Sequence, residues 1–190
     1  MTAFAAALLF VLLSVLFLPA AGPSVDGRKP PGPTVYGYRI INVYPHDRQA
    51  YTQGLIYSDG FLYEGTGLFG ASTLRRVQLD TGRVLARHSL DREFFGEGIT
   101  AWEDRIIQLT WRSGVGFIYD RSSLKVRGTF RYRGEGWGVT SDGQRLIMSD
   151  GTAVLRFLDP RSFQETGRLP SSLTYQRCPV ATTWTLPPHA

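Results

Sequence analysis

The chain has 190 residues, 43% of them hydrophobic and 19% charged, which excludes a disordered or fibrous protein and suits one medium domain. Its net charge of +5 comes almost entirely from arginines scattered among aspartates, with no run of four basic residues, so nucleic acid is not an expected partner. A single cysteine, Cys178, excludes an intrachain disulfide framework, and His46, His88 and His189 lack ligand spacing, so neither a metal nor another cofactor is expected.

Residues 2–21 (TAFAAALLFVLLSVLFLPAA) form an apolar run without a charge, and small residues follow at the Pro19-Ala20-Ala21 break. This reads as an export signal over 1–21, so the protein is expected to be secreted or periplasmic. The run is also long enough for an uncleaved anchor, the only expected membrane contact. Residues 22–34 (GPSVDGRKPPGPT) are a Pro/Gly linker outside the fold.

From Val35 the text changes to short apolar alternations cut by turn residues, beginning with Val35–Val43 (VYGYRIINV), which reads as a strand. Three units then align. The first opens at Gln53-Gly54-Leu55, turns at Asp59-Gly60 and passes through Leu74–Asp80 to Arg83–Ala86. The second opens at Glu97-Gly98-Ile99, turns at Glu103-Asp104 and passes through Val115–Asp120 to Leu124–Val126. The third opens at Trp137-Gly138-Val139, turns at Asp142-Gly143 and passes through Val154–Asp159 to Phe163–Thr166. Asp80 to Asp120 spans 40 residues, Asp120 to Asp159 spans 39, and Glu97 to Trp137 spans 40.

Four short strands repeated about every 40 residues predict an all-β chain of β-propeller blades. The innermost strand of a blade opens each repeat, which would bring Gln53, Glu97 and Trp137 toward one mouth of the channel. Periodicity alone equally allows these to be ordinary strand starts. Trp111 ends the second strand of its unit and is carried back toward Glu97 by the Glu103-Asp104 hairpin. Propellers hold roughly four to eight blades. A fourth unit is not legible after residue 169, so about three to three and a half blades are expected over 35–169, with a non-family tail over 170–190.

The ordered motifs narrow the reading. Tyr44–Leu55 (YPHDRQAYTQGL), Tyr63–Gly67 (YEGTG), Ser72–Arg75 (STLR), Phe95–Thr100 (FGEGIT), Gln108–Trp111 (QLTW) and Gly134–Gly138 (GEGWG) resemble, in order and spacing, the plant and bacterial glutaminyl-peptide cyclotransferases. The resemblance covers Val35 to about Gly167. It implies a five-bladed propeller that converts the N-terminal glutamine of peptides to pyroglutamate with release of ammonia, without a cofactor and as a monomer when complete.

By matching position the resemblance makes Glu97 the acid/base carboxylate. It makes Tyr51, Gln53 and Phe95 pocket residues, with tyrosine at 51 where the family commonly has phenylalanine. Trp111 and Trp137 become aromatic walls, whose indole N–H groups could donate to the substrate amide oxygen. One carboxylate can take the amine proton and return it to departing ammonia. An apolar surround would raise its pKa toward neutrality. The family's later blades add an asparagine, a further tryptophan and a lysine, so the pocket is expected to be incomplete here. A non-catalytic propeller that binds a peptide or protein, or an inactive remnant, are the alternative readings.

Overall fold

A computed structural model describes residues 36–170 and the backbone of Thr183–Thr185. The expected export segment, the linker and most of the expected tail lie outside the described residues. The chain divides into two units, Met1–Ile40 and Ile41–Ala190, and the second holds every strand found among the described residues.

Twelve strands form three four-stranded antiparallel sheets in chain order, and no helix occurs among the described residues. The first sheet is β1 (Thr52–Ser58), β2 (Phe61–Thr66), β3 (Thr73–Gln78) and β4 (Val84–Ser89). The second is β5 (Gly96–Trp102), β6 (Arg105–Thr110), β7 (Val115–Asp120) and β8 (Val126–Arg131). The third is β9 (Val139–Ser141), β10 (Leu146–Met148), β11 (Val154–Leu158) and β12 (Glu165–Pro170). A further strand, β13 (Thr183–Thr185), runs parallel beside β1, pairing Gly54 with Thr183 and Ile56 with Thr185.

Turn chemistry fixes each meander. β1 and β2 are joined by Asp59-Gly60 alone, with φ of 51° and 84°. Two residues at positive φ match the right-handed twist of the flanking strands. The outer hairpins share another device. Leu124 N–H donates to Asp120 O, and Phe163 N–H to Asp159 O, each at 2.8 Å. The side chains of these aspartates accept the next backbone N–H groups, from Ser122 and Ser123 or from Arg161 and Ser162. In the first sheet the same bond runs from Gly82 N–H to Gln78 O at 2.9 Å. The counterpart of Asp120 and Asp159 is therefore Gln78, and the 40-residue spacing from Asp80 misplaces the first unit by two positions. Leu124 and Phe163 hold φ of 56° and 58° where the first sheet has Gly82 at 67°. Both side chains are buried, so packing offsets the left-handed backbone.

The sheets stack through their inner strands: β5 lies against β1 on one side and β9 on the other. Ile56, Tyr63, Leu74, Ile99, Ile106, Tyr119 and Leu124 form the core between the first and second sheets. Trp102, Ile107, Leu109, Phe130, Val139, Leu146, Met148, Leu158 and Phe163 form the core that joins the second sheet to the third. Adjacent β6 residues Ile106 and Ile107 thus serve opposite cores. That is why RIIQLT shows no polar–apolar alternation: both faces of the sheet are covered.

The Gly of the first two openings also has a reason. A Cβ on Gly54 would stand 2.5 Å from Ile99 N, and one on Gly98 would stand 2.7 Å from Trp137 O. Gly98 N–H donates to Trp137 O at 2.8 Å, tying the second inner strand to the third. The repeat signature therefore marks the closest approach of neighbouring blades. The expected strand over Val35–Val43 differs: residues 36–43 carry no ladder and are exposed, Tyr38 at 93%. Their alternation is real, but no described sheet edge pairs with them.

Candidate functional site

Glu97 and Gln53 stand at equivalent irregularities. The register of β1 against β2 shifts between Thr52 and Gly54, and that of β5 against β6 between Gly96 and Ile99. Each bulge frees one polar side chain from the alternation of its strand and re-aims it. The third inner strand follows suit. Trp137 and Gly138 precede β9 and are held by Trp137 N–H to Ser149 O at 3.0 Å and Ser149 N–H to Gly138 O at 2.9 Å.

Aromatic rings connect these openings. Phe95 meets Tyr51 edge-on at 6.2 Å, Phe69 at 5.4 Å and Trp111 at 5.6 Å between centroids. Gly67 makes room for them: a Cβ there would stand 2.4 Å from the Phe95 ring and 3.1 Å from Gln53 Cγ. Gly67 N–H also donates to Tyr51 O at 2.8 Å. Tyr51 and Phe69 remain exposed, so this aromatic wall opens to solvent.

The segment before β1 is pinned from beneath. Glu64 on β2 is buried and accepts from Thr52 Oγ1 at 2.6 Å, with His46 Nε2 at 2.8 Å from the same oxygen. Arg75 on β3 donates to Asp47 at 2.9 Å, and this bond helps hold the Asp47 carboxyl below its ordinary range after the Gln49 N–H bond. The YPHD motif is thus a staple that fixes Thr52 and, on either side of it, Tyr51 and Gln53. A buried carboxylate with these partners is stable only as a satisfied network.

A second carboxylate completes the constellation. Glu135, in the loop between β8 and β9, accepts from Trp111 Nε1 at 2.8 Å and Trp137 Nε1 at 2.9 Å, both on Oε2. Arg112 Nε donates to its other oxygen at 3.0 Å, and the Arg112 guanidinium lies 3.8 Å from the Trp111 ring centroid. The loop is anchored by Gly136 N–H donating to Trp111 O at 2.8 Å. Tyr132 braces the end of β6, accepting from Thr110 N–H at 2.9 Å and donating to Thr110 O.

The two carboxyl groups are driven apart. Burial, then the negative charge of Glu135, pushes the Glu97 carboxyl up to about 8. The hydrogen bonds from Trp137, Trp111 and Arg112 hold Glu135 below the usual carboxylate range. One group can carry a proton near neutrality while its neighbour stays an anion, the arrangement that acid–base chemistry requires.

The structure therefore links Tyr51, Gln53, Phe95 and Trp111 through ring and side-chain packing around Gly67. Trp137 joins through Glu135, and Glu97 feels the charge of Glu135. Both indole donors are committed to Glu135, which leaves neither facing a substrate oxygen as the sequence reading expected. Three contributors were missed: Phe69, Arg112 and Glu135. Glu135 carried a signal, since the Glu135-Gly136 pair repeats the Glu97-Gly98 pair inside a quoted motif. Arg112 and Phe69 are placed only by tertiary packing. Among the described residues no cluster of His, Cys, Asp and Glu could hold a metal ion. A second cleft of about 560 Å³, lined by Arg131, Tyr132, Arg133, Arg156, Glu165 and Arg168, touches this site only through Tyr132.

Known proteins match this architecture and these motifs. The family model described as glutamine cyclotransferase matches residues 10–180. The glutaminyl-peptide cyclotransferase of Arabidopsis thaliana is 40% identical over 131 residues, covering 68% of this chain and 41% of that protein. The crystal structure of Myxococcus xanthus glutaminyl cyclase is similar with a TM-score of 0.64 at 34% identity, over 70% of this chain and 56% of that one. The WD40 domain of Neurospora crassa Pan2, at 8% identity and a TM-score of 0.54, covers 63% of this chain and 36% of that one and shares the propeller fold alone. The chain thus spans about two fifths of the plant relative and a little over half of the bacterial one. On its motifs, its blades and these matches, the chain belongs to the glutamine cyclotransferase family.

Proposed function

We propose that this chain carries a glutaminyl-peptide cyclotransferase site centred on Glu97, acting on peptides or proteins with N-terminal glutamine. The observation that carries this reading is a half-buried carboxyl, Glu97, set on a bulge two residues after Phe95, whose ring packs against Tyr51, Phe69 and Trp111; burial there pushes the carboxyl up to about 8. In the reaction the α-amino nitrogen bonds to the side-chain amide carbon and the bond from that carbon to the amide nitrogen breaks. Pyroglutamate and ammonia result. Glu97 takes the proton lost by the amine and delivers it to the departing nitrogen, so no proton is gained or lost overall.

The proton inventory fits. An α-amino group titrates near 7.7–8.0, close to the value of Glu97. The amine must be neutral to attack and Glu97 ionised to take its proton, so kcat/KM should rise through about pH 8 and level off above it. Tyr51, Phe95 and Trp111 offer an apolar wall against which the substrate end can pack, and Gln53 offers an amide to orient it. We further propose that the apolar segment 1–21 exports the protein to the periplasm or the exterior, and that it works as a monomer.

The test is ammonia release from a peptide bearing N-terminal glutamine, with pyroglutamate formation followed by a coupled pyroglutamyl peptidase. Glu97→Gln should lower kcat at least ~100-fold, the lower range for general acid–base catalysis. Folded, soluble parent chain without ammonia release would overturn the enzymatic reading.

A further inference from the structure

An indole has a single donor, its Nε1–H. In this site both indole donors, one from the end of β6 and one from the start of the third inner strand, converge on one oxygen of Glu135, at 2.8 and 2.9 Å. The second oxygen takes Arg112 Nε at 3.0 Å, while the Arg112 guanidinium covers the Trp111 ring. A carboxylate with three donors from three separate positions fixes the relative setting of two blades at the site mouth. Hydrogen bonds to an ionised acceptor are roughly twice as strong as neutral ones, so this setting is stiff.

We infer that Glu135 is the positioning residue of this site: its carboxylate, held by Trp111, Trp137 and Arg112, aligns the two indole walls beside Glu97. The role in catalysis rests on the proposed cyclotransferase reading, whereas the structural role stands on the hydrogen bonds alone. Glu97 sits on β5, and the charge that acts on it comes from Glu135 on the β8–β9 loop. Tyr132 on the same loop and Arg156 on β11 lie beyond, with Tyr132 feeling both Glu97 and Arg156. Arg112 is engaged by Glu135 itself. On β2, Glu64 is engaged by His46 and Thr52 and lies near Arg75. The indoles then act through their faces and bulk, because their N–H groups are already engaged.

Two variants of the full chain separate charge from hydrogen bonding. Glu135→Gln removes the anion and keeps an acceptor oxygen. With labelled glutamate carboxyls followed by NMR, the Glu97 titration midpoint should fall toward the value that burial alone sets, while the Trp111 and Trp137 indole signals stay near their parent positions. Glu135→Ala removes the acceptor as well. Both indole protons should then exchange with solvent roughly tenfold faster or more, with the buried Trp102 indole as the internal reference for an intact fold. A Glu97 midpoint unmoved in Glu135→Gln, or indole exchange unchanged in Glu135→Ala, overturns the inference. Neither readout depends on turnover, and ammonia release measured in parallel decides the enzymatic reading separately.

Discussion

At the scale of single residues, the site turns on how environment divides the work between two carboxylates of the same chemical type. Glu97 titrates near 8 against an ordinary value of 4.5. Between those values the folded chain binds a proton that the unfolded chain releases. Stability from this group is therefore fully present below about pH 4.5 and is lost as pH rises through 8. Glu97→Gln removes the group that must ionise. It should melt like the parent at pH 4 and several degrees higher at pH 9, since each kcal/mol moves Tm by about 2–4 °C in a chain of this size. A variant that melts lower than the parent at pH 9 would contradict the burial and charge assigned to Glu97. Glu97 was legible in the sequence because two glycines bracket it in a repeat opening. The commitment of both indole donors to Glu135 was not, because side-chain direction at a strand end is set by the loop packed over it, here by the Gly136–Trp111 bond.

At the scale of elements, the polar–Gly–apolar opening is a contact between blades as well as a presenter of side chains. Gly98→Ala places a methyl 2.7 Å from Trp137 O and 3.0 Å from Val139 N, both backbone atoms that cannot swing aside. Overpacking of this kind costs about 1–3 kcal/mol, and here it also loosens the Gly98–Trp137 hydrogen bond. Gly128, in the outer strand β8, has nothing within 4 Å of the same position. Gly128→Ala should be neutral or stabilising by about 0.4–1 kcal/mol through the unfolded chain. Urea denaturation of the pair measures the contrast, and equal destabilisation would refute the blade-contact account. The four-strand unit and its inner strand were legible because strand, turn and period agree over three copies. The two-residue offset at Asp80 was not, because the first sheet fills the left-handed turn position with Gly82, whereas the other two use Leu124 and Phe163. A glycine needs no buried side chain to stabilise that turn, so the flanking text changes while the backbone bonds remain. The alternation over residues 36–43 misled for a different reason: a strand is defined by its neighbour, and periodicity cannot supply one.

At the scale of the whole described molecule, stability is distributed outward from the second sheet. It alone carries a core on each face, and its second strand sends Ile106 to one and Ile107 to the other, both fully buried. Outer strands β4 and β12 are exposed at most positions. The same arrangement places Glu97 and Trp111 on the most enclosed sheet, where their geometry is held from both sides. Ile106→Ala and Ile107→Ala should each cost about 2–5 kcal/mol, as large-to-small changes in packed cores do. Leu85→Ala on β4, 38% exposed, should cost within about 0.5 kcal/mol of nothing. The two isoleucine variants report on different interfaces, so their combination discriminates between one cooperative core and two separable ones. Independent interfaces would give additive losses within about 0.5 kcal/mol. Because both side chains leave one strand, a shared backbone shift is the expected outcome, and the double variant should depart from additivity by more than that. Native-state hydrogen exchange supplies the matching readout: β6 amides should be the slowest in the parent chain, with β4 and β12 amides exchanging first. Exchange in β6 as fast as in β4 would show that the second sheet does not organise the stack.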